Sequence, residues 1–344
     1  MLPLPISSSR KRRLSRSGLR HRRSVKDALL TRARITNLGL SLLTCVAVLS
    51  LLFNLSYHLS SPTNSTYQSL HRPLPFDILS TIQRHDVLST IDHLIMVPGH
   101  AIWKGTDVRR RLDEEEWILE PYQRGGGRVD AFYRHIAAGA ELAKEDEHSL
   151  LIFSGGQTRP TSTSTEAGSY MRLALAADLI PSLPTPSSRI PGLLRATTED
   201  YALDSFQNLL YSIARFHEYT GRYPSHITVV GYEFKRQRFT ELHRAALRWP
   251  PGRFHYIGID AEDEELIKAQ EGERLNGYLP YTIDTYGCHD MLLSKRRSRN
   301  PFIRFHSYHS SSPELVPLLN WCPGSSDGGR TAVYGGPLPW DTMQ

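Results

Sequence analysis

Four short apolar runs, "HLIMVPG" (93–99), "SLLIFSGG" (149–156), "HITVVG" (226–231) and "FHYIGI" (254–259), carry β-branched or aromatic residues and soon meet a glycine. Runs of this length without polar alternation read as strands buried on both faces, as in a parallel sheet. Helical patterns lie between them. In "RVDAFYRHIAAGAELAKE" (128–145), Val129, Phe132, Ile136 and Ala140 recur at spacings of three and four, and 165–180, 197–221 and 235–249 repeat the pattern. The third of these ends on Gly221, a usual helix stop. Strands alternating with helices predict an α/β fold: a three-layer, doubly wound, mostly parallel sheet of Rossmann-like type. "PSLPTPSSRIPG" (181–192) reads as an excursion loop inside that domain, and an acidic helix-like stretch follows Asp260.

From Ile35 to Tyr57 there are 23 residues without a charge, densest in apolar side chains between Leu38 and Phe53. A helix of that length reaches about 30 Å, the thickness of a bilayer's hydrocarbon core. The 34 residues before it hold eleven Lys/Arg against one acid, Asp27, so that arm carries +10 and the rest of the chain −4. Cations on one flank place the N-terminus in the cytosol and the body across the membrane. The expected organisation is a basic cytosolic tail (1–34), a transmembrane signal-anchor (35–57), a stalk (58–90), an α/β domain (91–300) and a partly ordered C-terminal tail (301–344).

The expected partners are the lipid bilayer, through 35–57, and a small-molecule ligand; no nucleic acid is expected, because an apolar span follows the basic arm. No clear A-x-A cleavage site follows the span, which argues against a cleaved signal peptide. Residues 1–34 are also Arg- and Ser-rich and poor in acids, so the mitochondrial inner membrane stands as an alternative to the secretory pathway. Asn64, in "NST" just past the span, is an N-glycosylation acceptor. Cys288 and Cys322 are the body's two cysteines. They could pair in an oxidising lumen, but their spacing neither decides this nor suits a zinc site.

Ligands of open parallel sheets sit beyond the carboxyl ends of the strands, near the point where strand order reverses. The loops so selected are "PGHAIWKGTDVR", "SGGQTRPTSTSTEA" and "GYEFKRQR". The first contains Gly99 and His100, the latter either an acid/base or polar surface. Ser154, Gly155 and Gly156 read either as a tight turn or as backbone N–H groups brought to an anion at the start of a helix. Glu166 opens that helix, where a carboxylate also complements the dipole. In "TTEDYALDSFQNL", Glu199, Asp200, Asp204, Ser205 and Asn208 crowd one segment, and Asp204 and Asn208 share a helical face. Lys235, Arg236 and Arg238 follow a strand directly, where cations oppose the helix dipole. Lys235 and Arg238 therefore read as anion holders and Arg236 as surface. No G-x-S-x-G, H-E-x-x-H or Walker A motif occurs, and no metal ligands are expected.

Taken in order, residues 90 to 260 resemble the YdcF/SanA/ElyC-like family, the domain of unknown function numbered 218, in a eukaryotic, fungal-type, membrane-anchored form. Asp92 to Gly99 resemble its opening strand, Arg128 its helix-opening arginine, and Ser154, Gly155, Gly156, Glu166 and Ala167 its S-G-G and E-A elements. Glu199 and Asn208 hold the first and last places of E-x(2)-S-x(2)-T-x-E-N, with Ala202, Ser205 and Gln207 between them. "VGYEFKRQR" is similar to V-T-S-x-x-H-x-x-R, keeping Arg238 and replacing the histidine with Lys235. That exchange preserves a cation while removing histidine acid/base chemistry.

The resemblance implies a small anionic ligand, nucleotide-like or phosphorylated, with S-adenosylmethionine one possibility. It makes Glu199 the candidate catalytic or ligand-orienting carboxylate. Gly99, His100, Ser154, Gly155, Gly156, Glu166, Asp204, Ser205, Asn208, Lys235 and Arg238 are the candidate ligand-binding residues. Two alternatives stand beside it. One is a non-catalytic factor in envelope or glycan homeostasis. The other, from topology, is a type II Golgi glycosyltransferase, for which Asp260-Ala261-Glu262 is a poor metal motif.

Overall fold

The computed structural model describes residues 39–56, 84, 86–183, 193–261 and 266–343. The basic arm, most of the stalk with Asn64, the Pro/Ser-rich loop over 184–192 and Glu262 lie outside the described residues. Gly39–Ser56 forms one helix that is long and apolar enough to cross a membrane, and none of it is buried by protein.

The body, Leu74–Gln344, is a separate compact unit. Its centre is a sheet of five strands, β1 (His93–Pro98), β2 (Ser149–Ser154), β3 (Ala196–Glu199), β4 (His226–Gly231) and β5 (Phe254–Gly258). Their spatial order is β3-β2-β1-β4-β5 and every pairing is parallel. This is the doubly wound arrangement expected from the sequence. Strand order reverses between β1 and β4, which opens a crevice at their carboxyl ends.

Successive side chains of a strand point to opposite faces, and here both faces are apolar. Leu94, Met96, Leu150, Ile152, Ile227 and Val229 pack against helix α3 (Ser205–Thr220) through Phe206, Leu209, Ile213 and Phe216. On the other face, Ile95, Val97, Leu151, Phe153 and Val230 meet α1 (Arg128–Glu145) and α2 (Glu166–Ala176). Gly139 of α1 is required by this packing, since a Cβ there would come within 2.5 Å of Val97 Cγ2.

Two expectations are corrected. The helical pattern drawn from Thr197 begins instead with β3, whose Ala196 to Glu199 pair with Leu151 to Ser154. Two adjacent β-branched threonines favour the strand, and helix α3 waits for Asp204, whose side chain caps it by accepting from the Gln207 N–H. The pattern at 235–249 also resolves into a short 3-10 turn (Glu233–Lys235), a π-helical segment (Arg238–His243) and an α-helical turn (Arg244–Ala246).

The second correction concerns residues 301–344, expected as a tail. Tyr308, Leu315, Leu318, Leu338 and Trp340 are all buried in the core on the α3 side. Their apolar spacing follows no helix or strand period because short turns carry them, so composition alone hid their burial. Cys288 and Cys322 form a disulfide that ties this segment to the domain. Trp340 packs 5.0 Å from Trp249, ring centre to ring centre, and its indole N–H donates to the Leu247 carbonyl at 2.7 Å. Trp340→Ala is therefore expected to destabilise the body by about 3–5 kcal/mol in denaturant unfolding. A change of only a few tenths would show that the segment is dispensable.

Candidate functional site at the carboxyl ends of the strands

The structure draws the expected residues into two clusters. The first surrounds Glu199, the last residue of β3, which is fully buried. Ser154 Oγ donates to Glu199 Oε2 at 2.7 Å and lies 3.0 Å from Asn208 Oδ1. The Tyr201 N–H reaches Glu199 Oε1 at 2.8 Å, the Ala202 N–H reaches Oε2 at 3.3 Å, and the Tyr308 hydroxyl donates to Oε1 at 3.1 Å. Burial pushes the carboxyl up to about 7 even though these donors favour the charged form. Glu199 is thus a buried polar hub joining β2, β3, α3 and the C-terminal segment.

The double glycine belongs to the same frame, and its role as an anion cradle is corrected. Gly155 N–H donates to the Glu199 carbonyl at 2.9 Å and Gly156 N–H to the Ala202 carbonyl at 2.7 Å. The start of α2 is equally engaged. Glu166 N–H donates to the Gly156 carbonyl, Ala167 N–H to the Gly155 carbonyl and Gly168 N–H to Thr165 Oγ1. None of these five N–H groups is left for a phosphate. The glycines answer to close approach instead: a Cβ on Gly156 would lie 2.8 Å from the Ala202 carbonyl oxygen, and one on Gly99 2.6 Å from Glu166 Cβ. Glu166 is buried and accepts from Thr158 Oγ1 at 2.5 Å.

Two further candidates are held in structural contacts. Asp204, besides capping α3, is ion-paired with Arg296, which keeps its carboxyl below the usual range although burial acts the other way. Ser205 Oγ bonds His243 Nε2 at 2.7 Å.

The second cluster sits at the switch point between β1 and β4 and is built on Tyr232. His100 stacks on its ring at 5.2 Å, and the edge of His135, from α1, meets it at 4.8 Å. Lys235 Nζ lies 5.2 Å from the same ring centre and 3.5 Å from His100 Nδ1. Burial, reinforced by the nearby Arg238, lowers the Lys235 ammonium to about 7. Burial and Lys235 together hold His100 well below the usual histidine range, so its imidazole is neutral, and its buried Nε2 has no partner among the described residues. Arg238 is less free than expected, since its Nε lies 3.2 Å from Glu273 Oε1 in a largely buried pair.

Sequence reasoning missed Tyr308, His135, Tyr232 and Glu273. His135 had a usable signal: it falls on the apolar stripe of α1 beside Phe132 and Ile136, where a polar residue needs a reason. Tyr308 had none, because it lies in the segment read as a tail.

Glu199→Gln tests the buried carboxyl through pH. The raised carboxyl contributes stability that is fully present below its unfolded value, near 4.5, and is lost as pH rises towards its folded value of about 7. The melting-temperature deficit of the glutamine variant against wild type should therefore shrink between pH 4.5 and 7. A deficit independent of pH would refute a raised Glu199.

No family model matches the chain, and no solved structure matches it. Among curated proteins it is similar to "Uncharacterized protein YOR238W" of Saccharomyces cerevisiae (strain ATCC 204508 / S288c). The two are 33% identical over an alignment of 260 positions, taking in 62% of this chain and 86% of the yeast protein. Identity at that level over most of the yeast protein shows common descent: the chain belongs to the same family as YOR238W.

Proposed function

We propose that this is a membrane-anchored, YdcF-like protein that binds a small anionic ligand at the carboxyl ends of its strands, around Lys235 and His100. The observation that carries this reading is the state of Lys235. It is a half-buried ammonium lowered to about 7, set at the switch point, with Arg238 beside it and no carboxylate ion-paired to it among the described residues. An ammonium so placed gains by meeting an anion, which would restore its charged form. Arg299 adds to the same positive field. The concentration of cations favours a phosphorylated ligand over S-adenosylmethionine, whose sulfonium is itself positive.

Any proton transfer falls to Lys235 and not to Glu199. A lysine near neutrality can give and take protons at physiological pH, whereas Glu199 is enclosed by its own donors. That enclosure is also what favours the second reading, a non-catalytic factor in glycan homeostasis, in which Glu199 only holds the frame.

For placement, we take the apolar helix as a signal-anchor with the body in the secretory lumen. The Cys288–Cys322 disulfide suits an oxidising compartment. Endoglycosidase treatment of the expressed protein should increase its gel mobility through loss of a glycan at Asn64, and Asn64→Gln should abolish the shift. A body accessible to protease from the cytosolic side would overturn the placement.

The ligand reading is tested on the full-length protein in detergent, by thermal shift against inorganic phosphate, pyrophosphate and adenosine diphosphate. Lys235→Met should remove the ligand-induced stabilisation while leaving the ligand-free melting temperature within a few degrees. Because the anion prefers the charged lysine, affinity should be flat below pH 7 and fall up to about tenfold per pH unit above it. Undiminished binding by Lys235→Met would sink the assignment.

A further inference from the structure

The glycines whose N–H groups are left without acceptors are not those after β2. Between β1 and α1 the chain carries Gly125, Gly126 and Gly127 in succession, with φ of 75°, 63° and 63°. Three consecutive left-handed residues are accessible in practice only to glycine. Gly127 is the N-cap of the 18-residue α1 and contributes no side-chain cap. Among the described residues, the N–H groups of Gly126, Gly127, Arg128, Val129 and Asp130 have no acceptor. They stand where the helix dipole is positive. The contrast with α2, whose first N–H groups are all bonded, is complete.

A helix start alone is not a site, and a second feature points into this one. Tyr232 is 4% exposed, and the side chain set against its hydroxyl is Arg128, which can only donate, so the hydroxyl proton has no acceptor among the described residues. A buried hydroxyl whose proton has no acceptor is costly, and a ligand oxygen is one group that could supply it. Tyr232, Arg128, Gly126, Phe234, Ala261 and Leu266 line one depression of about 200 Å³. The depression is shallow and open to solvent, so a group bound there rests at its mouth, against the start of α1. Arg128 lies close enough for its charge to act on the phenol, and its Nε is also without a partner.

We infer that the α1 N-terminus, Arg128 and the Tyr232 hydroxyl form a phosphoryl-binding subsite, reached from Lys235 and His100 across the Tyr232 ring. The subsite rests on the anionic-ligand reading above and gives it a direction. His100 and Lys235 hold one face of the ring, and the hydroxyl at its tip meets the phosphoryl group. Topologically this is the turn that joins the first strand to the first helix, where doubly wound folds bring a helix N-terminus to a phosphate. Here the turn is lengthened by the residues from Gly99 to Gly127. Asp260, whose Oδ1 is likewise buried and without a partner, acts electrostatically on the same phenol. A carboxyl there repels a bare phosphate and accepts a hydroxyl, so the subsite fits a phosphoryl group on a hydroxyl-bearing carrier better than free phosphate.

Pyrophosphate binding to the full-length protein in detergent, followed by calorimetry, tests this with three variants. Tyr232→Phe keeps the stacking ring and removes only the hydroxyl, and Arg128→Gln removes the cation. Each should weaken pyrophosphate about tenfold, while the ligand-free melting temperature of Tyr232→Phe is equal to or above the wild-type value. Wild-type affinity in both variants, with binding lost in Lys235→Met, would overturn the subsite and leave the Lys235 reading standing. The converse pattern would support the subsite and remove Lys235 from it. No binding of either pyrophosphate or adenosine diphosphate, whose ribose supplies the hydroxyl, to the wild-type protein at millimolar concentration would overturn both.

Discussion

One buried carboxyl organises the carboxyl edge of this sheet. Taking a carboxyl out of water is costly unless its oxygens find donors, and Glu199 finds four, from Ser154, Tyr201, Ala202 and Tyr308. These donors come from the end of β2, the loop after β3 and a segment more than a hundred residues later. Satisfying Glu199 therefore fixes how far β2 and β3 extend, where α3 begins and where the C-terminal segment returns. Asn208 completes the arrangement through Ser154 Oγ. The candidate residues on this side of the sheet are bonded to one another, and the proposed ligand site lies across the crevice at Tyr232.

The two sides differ in how their polar atoms are used. Around Glu199 and the double glycine nearly every N–H and oxygen is matched within the chain, and the glycines serve close packing. Around Tyr232 the pattern inverts: His100 Nε2, Arg128 Nε and Asp260 Oδ1 are all buried without partners among the described residues, where the Tyr232 hydroxyl proton also lacks an acceptor. Their gathering at one topological switch point is what supports the ligand site proposed there. The two-strand reversal that opens the crevice and the lysine held near neutrality point the same way.

Parts of this were legible in residue order. The four apolar runs at 93–99, 149–156, 226–231 and 254–259 became β1, β2, β4 and β5, because fully buried strands need continuous apolar side chains. β3 was hidden: Ala196-Thr197-Thr198-Glu199 is short and merges into the pattern of α3. The S-G-G turn, Glu199/Asn208 and Lys235/Arg238 were expected to converge on one site; the fold joins Ser154 to Glu199 and Asn208, and sets Lys235 beside His100 and Tyr232. The phosphate-cradle reading of Gly155 and Gly156 failed because a glycine pair looks the same whether its N–H groups face a ligand or a neighbouring carbonyl.

What the sequence by itself determined is what depends on local order and composition: an apolar span of bilayer length, and the alternating strands and helices of a parallel α/β fold. It also determined a basic loop after β4 that brings Lys235 to a strand end. Tertiary structure alone decided which donors are engaged, because hydrogen-bond saturation depends on groups distant in the chain. It also decided that Tyr308 and Trp340 belong to the core and that Cys288 meets Cys322. The same long-range packing set the Tyr232 ring against His100, His135 and Lys235, an arrangement written nowhere in the order of the residues.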